Sequence, residues 1–280
     1  MFEKISASFG LARSAWLILL ADKKLVVFPL ISGFCCLLVV ASFLAPVAFS
    51  EQMQGIMKNN QSPLFWMYLF AFYFVNYFVI VFFNSALVAC ALKRFNGEQA
   101  TLGDGLSASM SRLPQIVAWA LVSATVGVLL KAIESAHEKF GAIISSILGT
   151  GWSVITFFVV PVLVVEKTGP IDAVKRSLSI LKNTWGEALI GNFGLGIFTF
   201  LLLLPGLALL GIGAYLFTIS PVAGAFGVGV AILYMILWGA ASSALNGIFV
   251  TALYQFASQG KIPASFDRRQ IEQVFRAKAA

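Results

Sequence analysis

Five stretches of the chain carry no Asp, Glu, Lys or Arg: 25–50, 59–92, 113–130, 140–165 and 188–260. Each of the first four fits one membrane crossing of about 20 residues, and the last is long enough for two. An ionised side chain at the centre of a span costs roughly 2.5–3.5 kcal/mol on insertion scales, which accounts for charge being cleared from these stretches. Runs such as 64–92 are apolar on every face, unlike the one-sided helices of a soluble domain. The pattern predicts six spans at about 25–48, 64–92, 114–130, 142–165, 188–217 and 222–256. The fold class is all-α: a polytopic transmembrane helix bundle.

Between these runs the pattern changes to helical amphipathicity, three times. Phe2, Ile5, Phe9, Ala12 and Trp16 recur at three- and four-residue steps. Thr101 and Asp104 form a capping-box start before Leu102, Leu106, Met110 and Leu113. Gly169-Pro170 opens a third stripe of Ile171, Val174, Leu178, Leu181 and Trp185, with Asp172, Lys175, Arg176, Ser179, Lys182 and Asn183 elsewhere. These segments, about 2–20, 102–113 and 170–185, read as interfacial helices lying on the cytoplasmic surface, each followed by two spans. Pro114 and Gly186 favour a bend where the second and third meet their spans. Asn84-Ser85 with Val88 and Asn246-Gly247 with Val250 echo one another in the second and sixth spans, which points to a three-fold helix-hairpin repeat. The expectation is a single membrane domain, 1–257, and a short cytoplasmic tail, 258–280, helical after Asp267.

Composition agrees: 59% of residues are hydrophobic and 11% charged, against a soluble norm of about 25% charged. The net charge of +7 could suggest nucleic acid, but its distribution does not. The N-terminus, the second and fourth loops and the C-terminus hold 16 of the 19 Lys and Arg; Lys58, Lys131 and Lys139 are on the other side. By the positive-inside rule both termini are cytoplasmic, and the basic excess faces an anionic leaflet. Arg13, Lys175, Arg176 and Lys182 are the expected membrane-surface cations. Cys35, Cys36 and Cys90 all fall inside spans and have no disulfide or zinc spacing. No signal-peptide pattern is evident, so the first span is expected to be retained in a bacterial cytoplasmic (inner) membrane.

Val160-Pro161-Val162-Leu163-Val164-Val165-Glu166, then Gly169-Pro170, Ala173-Val174-Lys175-Arg176-Ser177-Leu178 and Trp185-Gly186, resemble a signature of uncharacterised six-span bacterial membrane proteins. Ser14-Ala15-Trp16, Asp22-Lys23-Lys24-Leu25 and Phe28-Pro29 resemble the same group, and the similarity covers most of the chain. Such families are labelled domains of unknown function. The resemblance implies a fold and a location and transfers no catalytic residue.

Chemistry is sparse. His137 is the only histidine, which excludes any two-histidine site within one chain. Glu134-x-x-His137 has the spacing of di-iron bundles, but one copy is too few, and Lys131, Glu138 and Lys139 around it read as a solvated helix end. The glycines at 191, 194, 196, 224, 227 and 229 lie in apolar spans, so they suit close helix approach rather than a nucleotide loop. Gly239, Ser243 and Gly247 form a small-xxx-small packing ridge. Asn76, Asn84, Asn192 and Asn246 are the intramembrane polar positions, as interhelix glue or a pore lining, and Pro205 beside Gly206 is the expected kink or hinge.

No catalytic residue, cofactor or metal is expected, and the chain does not read as an enzyme. The leading expectation is a non-enzymatic interaction or scaffold protein or complex subunit, with a homo-oligomer or a membrane-protein partner. The alternative is a passive channel, permease or lipid-handling transporter, which expects a polar cavity reached by Asn192 or Asn246 beside Pro205. Ion coupling usually needs an intramembrane charge, and the spans carry none.

Overall fold

The computed structural model describes residues 2–136 and 140–261, of which 2–9, 11–12 and 183–194 are described by backbone alone. The element order is α1 (Phe2–Ala21), a 3-10 turn (Lys23–Val26), α2 (Val27–Phe49), α3 (Glu51–Lys58), α4 (Pro63–Phe95), α5 (Leu102–Met110), α6 (Leu113–Ala136), α7 (Gly141–Ile155), α8 (Val159–Glu166), α9 (Pro170–Leu216) and α10 (Pro221–Gln259). Among the described residues there is no strand. Six segments are long and apolar enough to cross a membrane: Lys23–Phe49, Pro63–Phe95, Leu113–Ala136, Gly141–Glu166, Leu195–Leu216 and Pro221–Gln259. By helix length and composition the chain is a multi-pass membrane protein. His137, the tail beyond Lys261 and the helix expected after Asp267 lie outside the described residues.

Local chemistry sets the helix ends. α4, α9 and α10 begin at proline, whose missing N–H has no intrahelical partner to lose there. Thr101 caps α5 in a reciprocal box. Its Oγ1 accepts from the Asp104 N–H at 3.2 Å, while Asp104 Oδ2 accepts from the Thr101 N–H at 2.9 Å. α10 stops at Gly260, with φ of 66°. α3, eight residues long, was not legible as an element beforehand. Its apolar side is Met53, Ile56 and Met57, and Ser50 caps it.

Three helices exceed the thickness of a bilayer. α4 has 33 residues and α10 has 39, or about 50 and 58 Å at 1.5 Å per residue, against a hydrocarbon core of about 30 Å. α9, with 47 residues, runs unbroken through the expected boundary at Gly186. Burial marks where the excess goes. In α4 the buried positions begin at Val81 and include Ala86–Val88, Cys90, Ala91 and Phe95. In α10 the buried positions are isolated at first, at Gly224, Ala231 and Ala240, and run almost continuously from Ala244 to Gln255, apart from Asn246. A charge-free segment is therefore not all lipid-facing. Its final turns are enclosed by protein.

The chain forms two compact units. One contains residues 1–30, 91–99 and 183–280. Within it α1 packs on α10, burying Ala15, Ile18 and Leu19, and the Trp16 and Phe198 rings meet edge to face at 6.1 Å. The other contains residues 31–90 and 100–182. There α6 pairs with α7, with Trp119 stacked on Trp152 at 5.8 Å. Tyr68 donates to the Phe43 carbonyl, and Ser109 to that of Phe82 at 2.9 Å.

In this second unit the span expected at 142–165 is present as Gly141–Glu166 but is built of two helices: α7 ends at Ile155 and α8 starts at Val159. Pro161 has no N–H to offer the Phe157 carbonyl four residues back, so the helix restarts with proline in its first turn. In the amphipathic segments, read as interfacial helices, the larger apolar residues divide between the outside and the interior, where Leu181 is buried. Leu106 and Met110 are exposed while Gly105 and Ser109 are buried, and Ile171 is 67% exposed while Ala173 and Ser177 are buried. Small residues permit the close approach, which leaves Leu106, Met110 and Ile171 outside, where lipid would cover them.

Candidate functional site

The break between α7 and α8 is pinned by one hydroxyl. Ser177 of α9 is fully buried. Its Oγ accepts from the Phe158 N–H at 3.1 Å and donates to the Ile155 carbonyl at 2.7 Å. It thereby satisfies two backbone groups that an uninterrupted helix would have paired. Ala173, Ile180 and Leu181 form the rest of the buried side. Sequence reading assigned Ser177 only to a resemblance; the adjacent Pro161 was the signal that a break needed a partner.

Pro205 lies within continuous helix rather than at a break. It removes the N–H that the Leu201 carbonyl would accept, and α10 supplies donors on both sides of that position. Tyr234 donates from its hydroxyl to the Leu202 carbonyl at 2.6 Å, and Trp238 from Nε1 to the Thr199 carbonyl at 2.9 Å. The two sit four residues apart, on one face of α10. Gly206 makes room: a Cβ there would stand 2.7 Å from Tyr234 Cδ1. Further along, backbones touch. A Cβ on Gly213 would lie 2.6 Å from the Val228 nitrogen, and one on Gly227 would lie 2.8 Å from the Gly213 Cα. α9 and α10 are thus zipped by glycines and laced by two side-chain donors around the proline.

The other face of α10 is open. Gly239 and Gly229 have nothing within 4 Å of an added Cβ, and Ser243 is exposed. Gly247 is buried, because four-residue steps advance about 40° around a helix and carry the ridge inward. The open line runs instead through the exposed Ala225, Gly229, Ile232, Ile236 and Ser243 and the half-buried Gly239, at alternating steps of four and three. That period of 3.5 is the one a helix keeps toward a partner helix.

The asparagines do not converge. Asn76 donates to its own helix at the Phe72 carbonyl, 2.9 Å away. Asn84 is half-buried, and Asn246 is exposed. The side chain of Asn192 lies outside the described residues. Tyr234 marks the level of Pro205, and Asn246 is twelve residues further on, roughly 18 Å along the axis. It is not beside Pro205.

Among the surface cations, Arg13 and Lys182 are exposed. Lys175 meets Asp172 loosely at 3.6 Å, both well exposed, so the pair contributes little. Arg176 donates from Nε to Glu166 Oε1 at 2.9 Å and ties α9 to the end of α8.

A family model described as a family of unknown function, DUF6159, matches residues 64–264. A search of the curated proteins found no match.

Proposed function

The chain belongs to the DUF6159 family of unknown function, and from that premise we propose that it is a non-enzymatic interaction or scaffold protein of the membrane. The observation that carries this reading is the contrast between the two faces of α10. One face is committed to α9 through Gly227, Tyr234 and Trp238. The other presents small residues, Gly229, Gly239 and Ser243, at helix-packing period with open space above them. Small residues at such positions let helix backbones approach closely, the usual basis of association in lipid. A second copy of the chain is the occupant that fits, since a ridge of this kind is complementary to itself about a two-fold axis. The alternative of a passive transporter rests on a loosened fifth span, and the donors from Tyr234 and Trp238 work against loosening.

In the same reading both termini face the cytoplasm of a bacterium, supported by the bias of 16 basic residues against three. The test is purification of the full chain in a mild detergent, with its mass measured by light scattering. A protein mass of a whole multiple of 30.2 kDa is expected. A monodisperse monomer with no copurifying protein would count against the proposal.

A further inference from the structure

Two tyrosines of α4 sit deep in its apolar run with no acceptor for their hydroxyls. Tyr73 and Tyr77 lie one turn apart on one face, about 15 and 21 Å from the helix start at Pro63. The first charge beyond them is Lys93, about 24 Å past Tyr77. The two rings are 6.2 Å apart, and both rest against α6 at a single residue. A Cβ on Gly127 would stand 3.2 Å from Tyr73 Cδ2 and 3.5 Å from Tyr77 Cε2. Among the described residues neither hydroxyl has a hydrogen-bond partner. The partnerless polar side-chain atoms that are shut off from the surroundings belong to Ser85, Gln115, Thr168 and Ser242. Both tyrosines are half-buried, so their hydroxyls stay open to a ligand.

Other polar side chains in the spans find acceptors in one of two ways. Ser42, Asn76 and Thr125 donate to carbonyls of their own helices. A tyrosine ring holds its hydroxyl too far from its own backbone for that. Tyr68 and Tyr234 donate instead to a neighbouring helix, at the Phe43 and Leu202 carbonyls. Each acceptor stands three residues before a proline inside its helix, Pro46 or Pro205, where the ring disturbs local hydrogen bonding and opens carbonyls. α6 has no such point beside Tyr73 and Tyr77. Its proline, Pro114, is thirteen residues before Gly127.

We propose that Tyr73 and Tyr77 bind a quinone, a neutral lipid-soluble ring whose carbonyl oxygens accept from the two hydroxyls. Depth argues against phospholipid ester carbonyls, which lie outside the hydrocarbon core. With no Lys or Arg from 59 to 92, an anion would be uncompensated there. The backbone carbonyls of a partner helix are already paired within that helix. A quinone oxygen in hydrocarbon is unpaired, so it gains a full hydrogen bond from the tyrosine. The tyrosine rings add edge or offset contact with a flat ring. The inference does not depend on the oligomeric state.

The experiment uses the full chain in a non-ionic detergent and follows thermal stability and native mass. The probe is a benzoquinone carrying one isoprenoid unit, and the matched control is an isoprenoid hydrocarbon without the quinone ring. A saturable rise in melting temperature with the quinone, and none with the hydrocarbon, is expected. Y73F and Y77F keep both rings against Gly127 and remove only the hydroxyls. Each should weaken the apparent affinity about three- to tenfold, the scale of one neutral hydrogen bond. Y215F, at an exposed tyrosine of α9, should leave it unchanged. No saturable effect in the wild type, or undiminished affinity in the Y73F/Y77F double variant, overturns the proposal. A fall in native mass in that double variant with quinone affinity unchanged also overturns it, and assigns the hydroxyls to a protein partner.

Discussion

Replacing Ser177 with alanine is expected to lower the unfolding free energy by about 2 kcal/mol, because it strands a buried backbone N–H. The Phe158 N–H has Ser177 Oγ as its acceptor at the α7–α8 break, and the Ile155 carbonyl receives that same hydroxyl's proton. Alanine keeps the backbone and the volume nearly unchanged, so the loss reports the two bonds rather than a cavity. Denaturant titration in detergent, followed by helical circular dichroism, measures it. Ser179→Ala, two residues away and exposed, is the matched control and should stay within about 0.5 kcal/mol of wild type. Equal stability of the two variants would mean that Phe158 finds another acceptor and that Ser177 does not hold the break.

Gly213→Ala should destabilise by about 1–3 kcal/mol, the usual cost of forcing an extra methyl into a filled contact. Its Cβ would fall 2.6 Å from the Val228 nitrogen and 2.7 Å from the Gly227 carbonyl carbon, and backbone cannot swing aside as a side-chain tip can. Gly211→Ala, two residues earlier in the same helix, meets nothing within 4 Å. That change should be neutral or stabilising by about 0.5–1 kcal/mol, since alanine is the better helix former. Both variants gain the same helix propensity, so the opposite signs isolate the α9–α10 approach. Thermal melts of the pair in one detergent are sufficient to compare them.

Much of the fold was legible from the absence of charge, because lipid penalises charge strongly wherever it occurs. The Thr101–Asp104 box was legible for a different reason: it is local, spanning three residues. What failed was finer. Charge-free sequence does not distinguish a helix surrounded by lipid from one surrounded by protein, so the enclosed end of α10 read as span. The apolar stripes through Leu106, Met110 and Ile171 marked amphipathic helices but not which small residues would pack, and the buried ones are Gly105, Ser109, Ala173 and Ser177. The break at 156–158 was hidden because Pro161 sat in an otherwise uniform run.

The candidate site was less legible for the same reason. Four-residue spacing grouped Gly247 with Gly239 and Ser243, but the helix turns Gly247 inward. The 3.5-residue line through Gly229 and Ile236 emerged only once the exposed face was known. Tyr234 and Trp238, four apart and opposite Pro205, carry polar atoms on apolar rings and read simply as hydrophobic residues.

The central claim is that the open face of α10 is a helix–helix contact between copies of the chain. Disulfide scanning in native membranes tests it most directly, after Cys35, Cys36 and Cys90, all free thiols, are replaced by alanine. Single cysteines at Ile236, Gly239 and Ser243 should cross-link the chain into dimers on mild oxidation, while cysteines at Val230 and Leu237, on a different exposed face, should not. Cross-linking that is absent from the ridge, or equal on both faces, contradicts the account.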